Sequence, residues 1–280
     1  MKETLRKNKY FLISAIVSTI FIIFMIISDS TTAFNWTVKF HNKGSVALED
    51  AKYPIEHVNW ITVFYFTFQS NLLVMIYLYL RAFGVMKPKE NKHHKMFQLI
   101  VTLNITITMV TYWMILAPFS SIWTHGGVAG AIKIVVTFMV HLITPILMLI
   151  AFHKDKLQEG EEGVVISKKK LPLVLIYPTT WLIIAIIVYF TTQTEGHYSQ
   201  VIENQATGKY MMVKDGGSID HSSGVAIYFF LNFADVPIGV TLGASAAISI
   251  AFIAFGFLFL AVSNPESKLN IKMRTIKQRK

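Results

Sequence analysis

Six stretches of nearly unbroken apolar side chains, at residues 10–28, 60–83, 97–118, 131–153, 171–192 and 236–262, alternate with polar connectors. Each is close to the roughly 20 residues that a helix needs to cross the hydrocarbon of a bilayer. The predicted fold is therefore all-α: a polytopic membrane protein, residues 1–280 forming a single integral membrane domain with six transmembrane helices in one bundle. The last stretch is long enough to cross with tilt. No internal repeat is visible, nor any pair of interrupted helices in matching positions of two halves, which counts against the inverted-repeat transporters.

Composition agrees with the pattern. The 280 residues are 53% hydrophobic, 15% charged and have a mean hydropathy of +0.50, which leaves no room for a sizeable soluble domain. There is no cysteine, so disulfides, thiolate metal sites and a cysteine nucleophile are excluded. A formal charge of +10 in a soluble protein would suggest nucleic acid. Here the basic residues lie between apolar runs, where they orient the chain and meet anionic membrane lipids, and no nucleic acid is implied.

Orientation follows from where those charges fall. The N-terminus (Lys2, Arg6, Lys7, Lys9), the second connector with its flanks (Arg81, Lys87, Lys89, Lys92, Lys95), the fourth (Lys154, Lys156, Lys168, Lys169, Lys170) and the tail (Lys268, Lys272, Arg274, Lys277, Arg279, Lys280) hold 20 of the 26. That asymmetry places both termini in the cytoplasm of a multi-pass cell-membrane protein, with extracellular loops 29–59 and 193–235. A cleaved signal peptide is the alternative reading of the first stretch. Asp235 reads as the start of the last helix, with Pro237 in its first turn. Along that helix Gly239, Gly243, Ala247 and Ala251 form a small-residue stripe, expected to pack the bundle, with dimerisation as the alternative.

Polar side chains interrupt three of the apolar runs at helical spacing. Thr67, Ser70 and Asn71 share a face of the second helix while Gln69 points elsewhere; Asn104, Thr108 and Thr111 share one in the third, and Thr137, His141 and Thr144 in the fourth. A common polar cavity is the economical way to satisfy all three stripes. Thr67 lies seven residues into its stretch and His141 ten into its own, which at ~1.5 Å per residue puts them at similar depths. Pro145 has no N–H to offer the carbonyl of His141, so the backbone there is expected to kink and expose an acceptor.

A threonine hydroxyl becomes a nucleophile when a base takes its proton, and neutral imidazole is suited to that near pH 7. Thr67 and His141 are thus the candidate catalytic pair. Asn71, Asn104 and Ser70 are candidates to orient the imidazole or donate to an oxyanion. Gln69, Thr108, Thr111, Thr137 and Thr144 are candidate substrate-binding residues. No Asp or Glu falls inside the six stretches, so the helices offer no carboxylate third member, and Asp235 is the nearest. Structural readings compete with these. A membrane threonine commonly bonds its own backbone one turn back, and asparagines often join helices. Trp60, Trp113, Trp123 and Trp181 read as interfacial or packing residues. His41, His57, His125, His197 and His221 all fall on the outer side, but their spacings match no metal motif. His93 and His94 read as solvated. No cofactor or metal is implied.

The runs Phe64-Tyr-Phe-Thr67-Phe-Gln69-Ser70-Asn71-Leu-Leu73, Thr111-Tyr-Trp-Met-Ile-Leu-Ala-Pro118, His141-Leu-Ile-Thr-Pro145, Leu175-Ile-Tyr177-Pro178 and Ile227-Tyr228-Phe-Phe-Leu-Asn232 resemble, in order and spacing, a family of prokaryotic six-pass membrane proteins. That family is similar to the androgen-induced gene and androgen-dependent TFPI-regulating proteins of animals, membrane threonine hydrolases of fatty acid esters of hydroxy fatty acids. The resemblance implies the six-helix fold, Thr67 as nucleophile in its F-x-T-F context and His141 as its partner. The two outer loops are longer than it implies. The expected function is an intramembrane hydrolase of a lipid or fatty acid ester. The alternatives are a small-solute transporter or permease using the same cavity, and a structural or accessory protein in which the stripes only join helices.

Overall fold

A computed structural model describes residues 2–31, 60–119, 123, 127–159, 164–191, 200–204, 209–213, 228–231, 233 and 236–263. Most of the two predicted outer loops lies outside the described residues, as do His41, His57, His125, His197, His221, Asp235 and the basic tail.

A short helix α1 (Lys2–Lys7) leads through Asn8 into α2 (Lys9–Thr31); α3 (Phe66–Ala82), α4 (Lys92–Thr111), α5 (Gly127–Phe138), α6 (Thr144–Glu159), α7 (Ile176–Thr191) and α8 (Ile238–Ser263) follow. The described chain is helical except for one antiparallel hairpin, β1 (Gln200–Asn204) and β2 (Lys209–Val213), in register from Gln200 opposite Val213 to Asn204 opposite Lys209. The hairpin lies in a segment that reads as plain loop from its glycines and serines. Among the described residues five helical stretches are long and apolar enough to cross a membrane: Lys9–Ser28, Lys92–Leu116, Gly130–Lys156, Lys168–Thr191 and Ile238–Ser263. The protein is therefore a helical membrane protein.

Local chemistry sets the helix boundaries near the site. α4 starts where the Asn91 side chain accepts the N–H groups of His93 and His94, satisfying donors that a helix start leaves over. The stretch predicted as one helix over 60–83 is broken. Trp60–Phe64, carrying the β-branched Ile61, Thr62 and Val63, forms a 3₁₀ turn, Tyr65 is extended (φ −62°, ψ 131°), and α3 begins only at Phe66. The break puts Thr67 in a first helical turn rather than in the middle of a helix.

Two wide π turns interrupt the other site helices. Tyr112–Leu116 extends α4, and Met139–Ile143 joins α5 to α6 in one continuous rod. The second turn is how the chain absorbs Pro145: the bonds widen to i→i+5, with the Thr144 N–H reaching the Met139 carbonyl.

The chain divides into two compact units. The first comprises Met1–Ser28, Tyr65–Thr179 and Ala247–Lys280. Its core joins Phe11 and Ala15 of α2 with Val74, Tyr77 and Leu78 of α3, Val101 and Ile105 of α4, and Met148 and Ala151 of α6. A second cluster packs Phe21, Ile22 and Met25 against Phe68, Val136 and Val140. Lys95, counted from sequence with the basic second connector and its flanks, is buried in this unit, and its Nζ donates to the Ser263 carbonyl at the C-terminal end of α8 (3.1 Å), where the helix dipole favours a cation. The second unit, Asp29–Phe64 with Thr180–Ala246, holds the hairpin. In it the Trp181 indole donates to the Phe64 carbonyl (2.7 Å), and the Thr241 hydroxyl to that of Phe230 (2.6 Å).

The small-residue stripe of α8 does not pack as expected: a Cβ added at Gly239 or Gly243 meets nothing within 4 Å. The close approach is at Gly256 instead, where a Cβ would stand 2.8 Å from Leu171 Cδ1 and 3.7 Å from Leu103 Cδ2. Gly256→Ala is expected to cost about 1–2 kcal/mol through overpacking, while Gly243→Ala leaves stability unchanged or slightly raised. Thermal unfolding in detergent, comparing the two variants, checks this; equal midpoints would show that Leu171 yields freely.

Candidate functional site

All three predicted polar stripes lie in the first unit, on α3, on α4 and on the rod formed by α5, the π turn and α6. Thr67 and His141, 7% and 9% exposed, face each other: Thr67 Oγ1 stands 3.2 Å from His141 Nε2. Thr67 lies in the first turn of α3, and its hydroxyl goes to the imidazole. The other ring nitrogen, Nδ1, is 3.2 Å from the Thr137 carbonyl, one turn earlier on the same rod. A carbonyl can only accept, so in the neutral ring Nδ1 carries the hydrogen and Nε2 presents its lone pair to the Thr67 hydroxyl. That is the tautomer a general base needs. The imidazole is thus oriented by a backbone carbonyl.

Asn71, one turn below Thr67, ties the two elements together. Its Nδ2 donates to the Thr67 carbonyl (2.8 Å) and to the Val140 carbonyl next to His141 (3.2 Å). Ser70 Oγ also donates to the Thr67 carbonyl (3.0 Å) and lies 2.9 Å from Thr108 Oγ1, which donates to the Asn104 carbonyl (3.0 Å). Asn104 Nδ2 turns back to Ile100 (2.7 Å). Both asparagine amide nitrogens thus serve carbonyl groups, which fixes the amide orientation. The Oδ1 atoms of Asn71 and Asn104 are left as buried acceptors without a partner among the described residues.

The remaining sequence candidates are spread around the pair. Thr137 contributes its carbonyl, and the Thr144 hydroxyl donates to the Met139 carbonyl inside the π turn (3.2 Å). Thr111 ends α4, one residue before Tyr112. Gln69 leaves the cluster, its Oε1 accepting from Tyr177 on α7 (2.8 Å).

Two residues at the site and one farther along the rod carry roles that sequence spacing does not reveal. The Tyr112 ring stacks on the His141 imidazole, with centroids 3.6 Å apart and planes 20° from parallel. Trp113, read as a belt or packing residue, donates its indole N–H to the His141 carbonyl (3.0 Å), the acceptor that Pro145 frees. Asp155 corrects the expectation that no carboxylate lies within a span: the apolar helix continues past His153 to Lys156, and Asp155 is 2% exposed. It stands 14 residues beyond His141, about 21 Å along the rod, so it does not complete a triad. Its carboxylate accepts from Arg81 Nε and Tyr77 Oη (each 2.6 Å) and from Gln98 Nε2 (2.8 Å), and the Arg81 guanidinium lies over the Phe11 ring. Flanking Lys154 and Lys156 make Asp155 look like part of a solvated connector.

Comparisons of the chain with protein-family models, with curated proteins and with solved structures give no match.

Proposed function

We propose that the chain is an intramembrane threonine hydrolase of a lipid or fatty acid ester, of the six-pass family whose motifs it resembles, with Thr67 as nucleophile and His141 as general base. The observation that carries this reading is the buried 3.2 Å contact between Thr67 Oγ1 and His141 Nε2, with Nδ1 held by a carbonyl. Thr67 Oγ1 attacks the acyl carbon as Nε2 takes its proton. The imidazolium then returns that proton to the departing alkoxide, leaving an acyl-threonine. Water, deprotonated by the same nitrogen, attacks the acyl carbon; the acid departs and the hydroxyl is restored.

Negative charge that develops on the acyl oxygen is met by the start of α3. The Gln69 N–H to the Tyr65 carbonyl is the first intrahelical bond, so the N–H groups of Thr67 and Phe68 project from the helix end. Asn71 locks the nucleophile's turn against the base's turn. No cofactor takes part. In this reading α3 is a sixth crossing, both termini lie in the cytoplasm, and the plasma membrane supplies the lipid substrate.

An apolar layer favours this reading over passage of a solute. Val74, Val101, Ile105 and Met148, all fully buried, stand along α3, α4 and α6 between the Thr67–His141 pair and the Arg81–Asp155 pair.

A fluorophosphonate probe, followed by peptide mapping of wild type and Thr67→Ala, tests the assignment. The adduct is expected on Thr67 and absent from the variant. Labelling that survives the substitution removes Thr67 as nucleophile.

A further inference from the structure

The two π turns of the first unit face each other. One, Tyr112–Leu116, carries the Tyr112 ring and the Trp113 indole; the other, Met139–Ile143, carries His141. Two contacts between them converge on that histidine: the ring stack from Tyr112 and the indole bond to its backbone carbonyl from Trp113. Trp113 is itself braced by Phe138, at the end of α5, with ring centroids 5.1 Å apart.

A π turn widens the helix by one residue and swings its side chains off the regular spacing, which is why such turns recur at functional sites. In the second turn the ring can reach back to the Thr137 carbonyl while Nε2 still faces α3. The turn persists next to Pro145 because the carbonyl of His141, denied a helical N–H by the proline, takes the Trp113 indole instead. Stacking at 3.6 Å then leaves the imidazole little freedom to rotate about its outer bond.

We propose that Tyr112 and Trp113 are positioning residues for the base: Trp113 holds the π turn open through the His141 carbonyl, and Tyr112 keeps the imidazole plane aligned so that Nε2 meets the Thr67 hydroxyl. Their effect on turnover rests on the Thr67–His141 reading; their effect on the ring does not. Neither residue touches the reacting atoms. Their removal therefore lowers the fraction of molecules with an aligned base without changing how an ester binds.

Two readouts test this on the full-length protein in detergent or nanodiscs. In ester hydrolysis, Tyr112→Leu is expected to lower kcat about 10²-fold and Trp113→Phe about 10-fold with KM unchanged, since misplacement of a reacting group by about 1 Å costs that order of rate. Tyr112→Phe, which keeps the ring, stays within about twofold of wild type. In ¹⁵N-histidine NMR, wild type is expected to show His141 as the single Nδ1–H tautomer, while Tyr112→Leu and Trp113→Phe show both tautomers. Tyr112→Phe failing as badly as Tyr112→Leu would overturn the role of the stack. A unique tautomer retained in Tyr112→Leu and Trp113→Phe would overturn the proposal outright. If the probe never labels Thr67 and yet the tautomer is lost in those variants, the hydrolase reading fails while the positioning of the imidazole stands.

Discussion

Ester hydrolysis by a Thr67→Ala/His141→Ala double variant is expected to be no slower than by either single variant, each of which falls by about 10³-fold or more. Nucleophile and base act as one unit: without the hydroxyl the imidazole has no proton to take, and without the imidazole the hydroxyl stays protonated. The first loss removes nearly all of the chemistry, and the second has little left to remove. Independent helix-joining roles predict something different, because two separate hydrogen-bonding losses would add. Initial rates on a soluble fatty acyl ester, measured for the wild type, both single variants and the double variant, separate the cases. Additive losses would show that the two side chains act independently, and that the 3.2 Å contact does not join them in turnover.

Asp155→Leu is expected to destabilise the first unit by about 3–5 kcal/mol, the largest stability effect of any substitution considered. The reason is the charge left behind. Arg81, with a side chain only 12% exposed, would lose its counter-ion, and Tyr77 and Gln98 would lose their shared acceptor. Removing both charges in Arg81→Leu/Asp155→Leu is expected to recover much of the loss, since the uncompensated ion is the main cost. Thermal unfolding in detergent, with the double variant beside both singles, measures it. A drop below about 1 kcal/mol for Asp155→Leu would mean that Arg81 reaches water on its own.

Reading from sequence reaches the site wherever helical periodicity survives folding. Thr67, Ser70 and Asn71 share a face because α3 is regular from Phe66 onward, and Asn104 and Thr108 share one because α4 is regular up to Thr111. It fails where periodicity breaks. Pro145 signals a freed carbonyl at His141, but not that a π turn forms, because that choice depends on an indole from another helix being there to accept the bargain of geometry. Tyr112 is invisible for the same reason: its position on the imidazole follows from a second wide turn that no spacing rule marks. Asp155 and Lys95 are missed differently. Each sits among lysines at a helix end, where hydropathy sees a solvated flank, and only the packing of α3, α4, α6 and α8 shows them enclosed.

The late start of α3 has a consequence for how the bilayer meets this part of the chain. With 17 residues it measures about 26 Å, several ångströms less than the ~30 Å of acyl chains that a crossing must cover. On the proposed reading of α3 as a sixth crossing, the membrane around its N-terminal end dips, or the neighbouring helices tilt to bring that end level with the headgroups. On that reading the buried Thr67 hydroxyl, in the first turn of α3, lies close to one leaflet's headgroups, within reach of an ester from the acyl chains and of water from the aqueous side.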